Sequence, residues 1–136
     1  MFSILPCKDA DKLSCYPEGT TLLIYKDGEN ERGHVAYKRY MSALEILSLD
    51  TGVKREAESE ISKEEVLHAD ALIRAVASIA LSEGLLTVCS KDEALSPLFE
   101  KFGFFRNGEF YTLYISKLFS KGFSGCDGCN CCADKN

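Results

Sequence analysis

Four thiols crowd the C-terminal end of this chain: the stretch GFSGCDGCNCC places Cys126, Cys129, Cys131 and Cys132 within seven residues. Cys126 and Cys129 have C-x-x-C spacing with Gly128 between them, which lets two thiolates turn toward one ion. Zinc or another thiophilic metal such as copper(I) suits those sulfurs. The same spacing suits a thiol–disulfide pair. A structural metal site normally draws its ligands from two separated segments, so Cys7 or Cys15 would complete one if the N-terminus lay nearby. The competing expectation is a mobile, reduced tail with no fixed ligand. Elsewhere the chemistry-bearing residues are sparse. His34 and His68 are the only histidines. A lone histidine on a strand, as His34 would be, is more often structural or solvated than a base. His68 pairs at i,i+4 with Glu64, which reads as a surface ion pair. No Ser-His-Asp order, nucleotide loop or carboxylate-rich metal signature occurs.

The totals narrow the function classes. At 136 residues and 46% apolar, the chain suits one domain with a real core, drawn here as residues 1–119, with a cysteine-rich tail over 120–136. From Ser120 onward the composition is glycine, cysteine and polar residues, which cannot build a core. Net charge is −5 and no basic stripe is visible, so nucleic acid is not an expected partner. The apolar runs are too short to span a bilayer, and the N-terminus lacks a charged region leading into a long apolar one. A cytoplasmic protein is the expectation, with oligomeric state left open. Seven cysteines, an odd number, leave at least one unpaired.

The positioning element is the stretch 62–84, SKEEVLHADALIRAVASIALSEG. Ser62 and Glu65 have capping-box spacing, and Gly84 stands where a left-handed stop is expected. Ala69, Leu72, Ile73, Val76, Ile79 and Ala80 recur at helical spacing as one apolar stripe. Asp70 and Arg74 form an ion pair on the other side. Strand-like runs flank this helix. Residues 20–26 and 33–41, punctuated by Asp27-Gly28, predict an antiparallel hairpin, with a short edge strand within 1–19. Residues 42–50 predict a central strand with Leu44, Ile46 and Ser48 on one face and Glu45, Leu47 and Leu49 on the other. A strand over 85–90 comes after the long helix, which makes a crossover unit. A second helix then starts either at a Ser90 cap or at a Ser96 cap with Pro97 in its first turn. Asn107-Gly108 joins a terminal hairpin, 104–106 with 109–116.

That order of elements resembles the GCN5-related N-acetyltransferase (GNAT) superfamily. ADALIRAVASIALSEGL at 69–85 is similar to the family's helix after the coenzyme A loop, and LFEKFGF at 98–104 to its short helix ending in Gly-Phe. The resemblance covers residues 20–116. It implies an α+β fold: a mixed, mainly antiparallel sheet, a long crossover helix, a second short helix and a shortened N-terminal part. It further implies acetyl-CoA or another acyl-CoA as cofactor and a small-molecule or peptide amine as acceptor.

The same resemblance assigns residues, and marks departures. The family's diphosphate loop, Arg/Gln-x-x-Gly-x-Gly/Ala, falls on Glu64 to Ala69, with Leu67 at the central glycine and only Ala69 matching. Leu67, His68, Ala69 and Asp70 would border the cofactor at the helix start, with Leu47 and Leu49 on the strand. A tyrosine that protonates the leaving thiolate in many members is Phe99 here, and Asp92 stands where an asparagine is frequent. Glu45, on the strand lining the acyl site, is then the candidate base. Tyr111 and Tyr114 are candidates to replace the missing proton donor. A non-catalytic module of this fold, with a metal-binding or redox-active tail, is the alternative.

Overall fold

The computed structural model describes residues 2–54 and 61–122. Seven strands form one sheet in the order β1-β2-β3-β4-β5-β7-β6. The strands are β1 (Phe2–Pro6), β2 (Thr21–Asp27), β3 (Asn30–Tyr40), β4 (Ala43–Asp50), β5 (Thr87–Ser90), β6 (Phe105–Asn107) and β7 (Phe110–Tyr114). All pairings are antiparallel except β4 with β5. The helices are α1 (Ala10–Leu13), α2 (Lys63–Ser82), α3 (Ser96–Lys101) and α4 (Ile115–Gly122), with a 3₁₀ turn over Glu93–Leu95. The N-terminal part is short, as expected. One edge strand and a four-residue helix precede β2.

α2 is the crossover between the parallel strands, and both its ends obey the sequence signals. The Ser62 hydroxyl accepts the Glu65 N–H at 3.0 Å. At the other end the Leu85 and Gly84 N–H groups return to the Ala80 and Leu81 carbonyls, with Gly84 at φ 79°, a left-handed cap that glycine adopts without a Cβ clash. Ala69, Leu72, Ile73, Val76, Ala77 and Ala80 are fully buried against Leu44, Ile46 and Val88. Arg74 meets Asp70 at 2.9 Å, donates to the Leu118 carbonyl at 3.3 Å and lies over the Phe119 ring. The side of α2 away from the sheet thereby anchors α4. The opposite sheet face carries a smaller cluster of Leu22, Ile24 and Ala36, covered by Leu13, Tyr16, Cys7 and Leu47.

Three expectations are corrected. β4 does not alternate evenly, because its partner on β3 changes from Ser48 (with Ala36) to Ile46 (with Tyr37), leaving Leu47 as a bulge. The extra residue inverts the facing of the rest of the strand. Leu49 joins Leu44 and Ile46 in the α2 core, while Leu47 and Ser48 turn to the other face. The last strand ends at Tyr114 rather than at Ser116, because Ile115 and Leu118, one turn apart, enter the core as a helix. The second helix has neither expected cap. Asp92 accepts the Ala94 N–H at 3.1 Å and opens the 3₁₀ turn, and Pro97 sits in the first turn of α3.

Candidate functional site

β4 and β5 pair only from Ala43–Thr87 to Ile46–Ser90. Beyond Ile46, β4 continues for four residues with β3 as its only strand partner among the described residues. The parting of two parallel strands opens a backbone edge in the middle of the sheet, at the bulge. Bulges are over-represented beside active sites because they end pairing and re-aim side chains. Ser90, fully buried, secures the fork: its hydroxyl donates to the Ile46 carbonyl at 2.8 Å and accepts the Asp92 N–H at 3.2 Å.

Glu45 stands one residue before the fork, on the face opposite α2, in register with Cys89 on β5 and Lys38 on β3. Its side chain is 7% exposed and has no hydrogen-bond or ion-pair partner among the described residues. A buried carboxylate is costly to keep unpaired, which is why such groups concentrate at functional sites. Burial, and secondly the charge of Glu45, push the Cys89 thiol up to about 11. Cys89 is therefore a neutral thiol at pH 7 and a poor nucleophile. Of this pair, the carboxylate is the group able to take a proton.

The two candidate tyrosines separate. Tyr111 pairs in register with Ser90, at the fork. Its ring lies 6.0 Å from that of Phe99, and its hydroxyl is held by two side chains. That hydroxyl accepts from Arg106 Nη1 at 2.9 Å and donates to Glu93 Oε1 at 3.1 Å. Tyr114 is half exposed, stacks on Phe105 and pairs with Thr87 at the far end of β5, on the opposite face from Tyr111. Phe99 itself is fully buried beneath Phe104.

The residues expected at the diphosphate have other surroundings. Glu64 to Ala69 lie inside α2 rather than in a loop before it, so from Leu67 onward the N–H groups serve the helix ladder. Leu67 is exposed, Ala69 is core, and Asp70 is held by Arg74. His68 is not on the surface. At 3% exposure it is buried, with Nδ1 2.6 Å from the Tyr25 hydroxyl and Nε2 3.9 Å from Glu64. No glycine stands at the pattern, the Glu65 and Val66 N–H groups are taken by Ser62, and its acidic groups, Glu64 and Glu65, would repel a diphosphate. These residues do not fit one. Leu47 and Leu49 also diverge, to opposite faces.

His34 is half-buried beside a pocket of about 250 Å³ that Cys15, Tyr16 and Glu31 also line. The Tyr16 hydroxyl lies 3.0 Å from Ser48 Oγ and 3.5 Å from His34 Nε2. Cys126, Cys129, Cys131 and Cys132 lie outside the described residues. Among the described residues no group of three or more histidine, cysteine or acidic side chains is placed to hold a metal, and no helix is long and apolar enough to cross a membrane. Sequence reasoning missed Cys89 and Ser90 as site residues. Their signal was weak: two small residues at the end of a short apolar strand.

No protein-family model and no curated protein matches the sequence. Solved structures do. The ribosomal-protein-S18-alanine N-acetyltransferase from Escherichia coli matches 85% of this chain and 94% of its own, at 12% identity and TM-score 0.58. A Desulfovibrio desulfuricans protein assigned to the GNAT family of acetyltransferases matches 77% of this chain and 75% of its own, at 13% identity and TM-score 0.56. PaiA N-acetyltransferase from Thermoplasma acidophilum, solved with coenzyme A, matches 69% of this chain and 58% of its own, at 16% identity and TM-score 0.50. The chain has the GNAT fold.

Proposed function

We propose that this GNAT-fold chain is a divergent N-acyltransferase that transfers an acyl group from an acyl-CoA to an amine, with its reacting centre at the fork of β4 and β5. The observation that carries the reading is Glu45, a buried carboxylate without a described partner, one residue from the point where the strands part. In this reading Glu45 takes the proton of the incoming amine, a role worth roughly 10²–10⁴ in rate. Tyr111, in register with Ser90 at the fork and held between Arg106 and Glu93, is the candidate acid. The thioester is the chemistry that the cofactor supplies. Its diphosphate would need contacts other than residues 64–69.

That misfit at residues 64–69, together with the burial of Phe99, favours a second reading, in which the fold is kept for binding alone and the cysteine tail carries metal or redox chemistry. One experiment separates the two. Calorimetric titration of the reduced, metal-free protein with acetyl-CoA is expected to give saturable binding, and an amine panel then to give acylation that Glu45→Gln lowers at least a hundred-fold with the fold intact. No heat at millimolar acetyl-CoA would retire the transferase reading. Binding with full activity in Glu45→Gln would remove Glu45 from it.

A further inference from the structure

Away from the fork, a pocket of about 410 Å³ opens between β1, β2 and the early turns of α2. Its volume lies within the range of small-molecule sites. Three rings make one wall. Phe2 stacks on Tyr25 with centroids 5.3 Å apart, and His68 meets Phe2 nearly edge-on at 5.1 Å. Ile4, Leu67 and Ala71 supply aliphatic sides. Leu67 and Phe2 are 64% and 47% exposed, so two large apolar groups at the rim face water and would be covered by a bound molecule.

The polar part of the pocket is small and specific. The Tyr25 hydroxyl and His68 Nδ1, both on buried side chains, share a hydrogen bond of 2.6 Å. His68 Nε2 lies 3.9 Å from Glu64 Oε2, beyond hydrogen-bond reach, and so keeps capacity for one more partner. Depending on which way the Tyr25–His68 bond runs, Nε2 donates to a hydroxyl oxygen or accepts from a ring N–H. The charges at the mouth oppose one another: Arg32 lies 3.8 Å from Glu64 and 5.8 Å from the centre of the Phe2 ring. Glu64 beside Nε2 repels an anion, and Arg32 at the rim repels a cation.

We propose that this pocket is a binding site for a small neutral aromatic molecule with one polar atom, such as a phenol or an indole, seated against Phe2 and Tyr25 with that atom on His68 Nε2. The sheet order puts β3 between the strands of this pocket and β4, and the proposal does not rest on the transferase reading.

Indole is a direct probe, because the chain contains no tryptophan and indole emission is free of protein background. Titrating the full chain is expected to give a saturable blue shift that phenol competes away and that hexanoate and butylammonium do not. Ala71→Phe, which fills the pocket, is expected to weaken indole at least ten-fold. Leu67→Glu, at an exposed position that spares folding, should weaken it several-fold, with retained circular dichroism showing both variants folded. Emission that rises without saturating, equal competition by hexanoate, or unchanged affinity in Leu67→Glu would overturn the proposal.

Discussion

At the scale of single residues, burial separates groups that the sequence presents as equals. Glu45 and Glu64 are both glutamates within predicted elements, yet Glu45 is 7% exposed while the Glu64 side chain is 60% exposed. The same burial sets a pH dependence through Cys89. Its thiol rises from 9.0 to about 11 on folding, so the folded chain holds the proton more tightly than the unfolded one. The stability this contributes is complete below pH 9 and is lost as pH rises through 11. Two pH units correspond to on the order of 3 kcal/mol. Denaturant melts between pH 8 and 11 are expected to fall more steeply in the native chain than in Cys89→Ala; equal slopes would show that Cys89 does not titrate as described. Ser90 has a different function. Ser90→Ala leaves the Ile46 carbonyl and the Asp92 N–H without this partner and should cost about 1–3 kcal/mol of stability, read from the same melts.

At the scale of elements, the bulge at Leu47 does what no alternation rule could announce. One additional residue turns Leu49 inward and Ser48 outward, and places the irregularity at the end of the β4–β5 pairing. The hairpins also show where geometry overrides residue preference. Among the described residues Met41, between Tyr40 and Ala43, is the non-glycine residue with positive φ, at 55°. A left-handed methionine costs roughly 1 kcal/mol relative to a residue that tolerates that region. Met41→Asn is expected to raise stability by about 0.5–1 kcal/mol, which would emerge as a melting point a few degrees higher. An unchanged or lower melting point would mean that the strain is relieved elsewhere. Gly33 shows the opposite constraint. A Cβ there would collide with the Asp50 carbonyl, so β3 and the end of β4 approach more closely than any other residue allows.

At the scale of the whole molecule, one helix joins the two halves of the sheet. α2 packs on β4 and β5 while Arg74 reaches the last turns of the described chain through Leu118 and Phe119. Leu118 is 2% exposed, so the core reaches into α4, which runs to Gly122. Removing residues 123–136 is expected to leave the melting temperature within about a degree. Those residues are glycine, cysteine and polar side chains with Phe123 as the one large apolar exception, too little to build a core. A fall of several degrees that vanishes when the full and shortened chains are compared under a chelator or a reductant would reveal a tail docked through its thiols.

The sequence by itself determined the elements whose signals are local. α2 between Ser62 and Gly84, the Asp27-Gly28 and Asn107-Gly108 turns, the Asp70–Arg74 pair and the order of strands all come from capping chemistry, periodicity and turn preference, which act within a few residues. The resemblance carried in 69–85 and 98–104 then led to the GNAT fold. Only the tertiary structure decided what depends on neighbours distant in sequence. Cys89 meets Glu45 because a twenty-residue helix returns β5 parallel to β4. His68 is buried because Phe2 and Tyr25, at the other end of the chain, close over it. Tyr111 reaches the fork because β7 pairs with β5 and sets it opposite Ser90. Burial, register and the bulge are sums over the whole sheet, and no window of the sequence contains them.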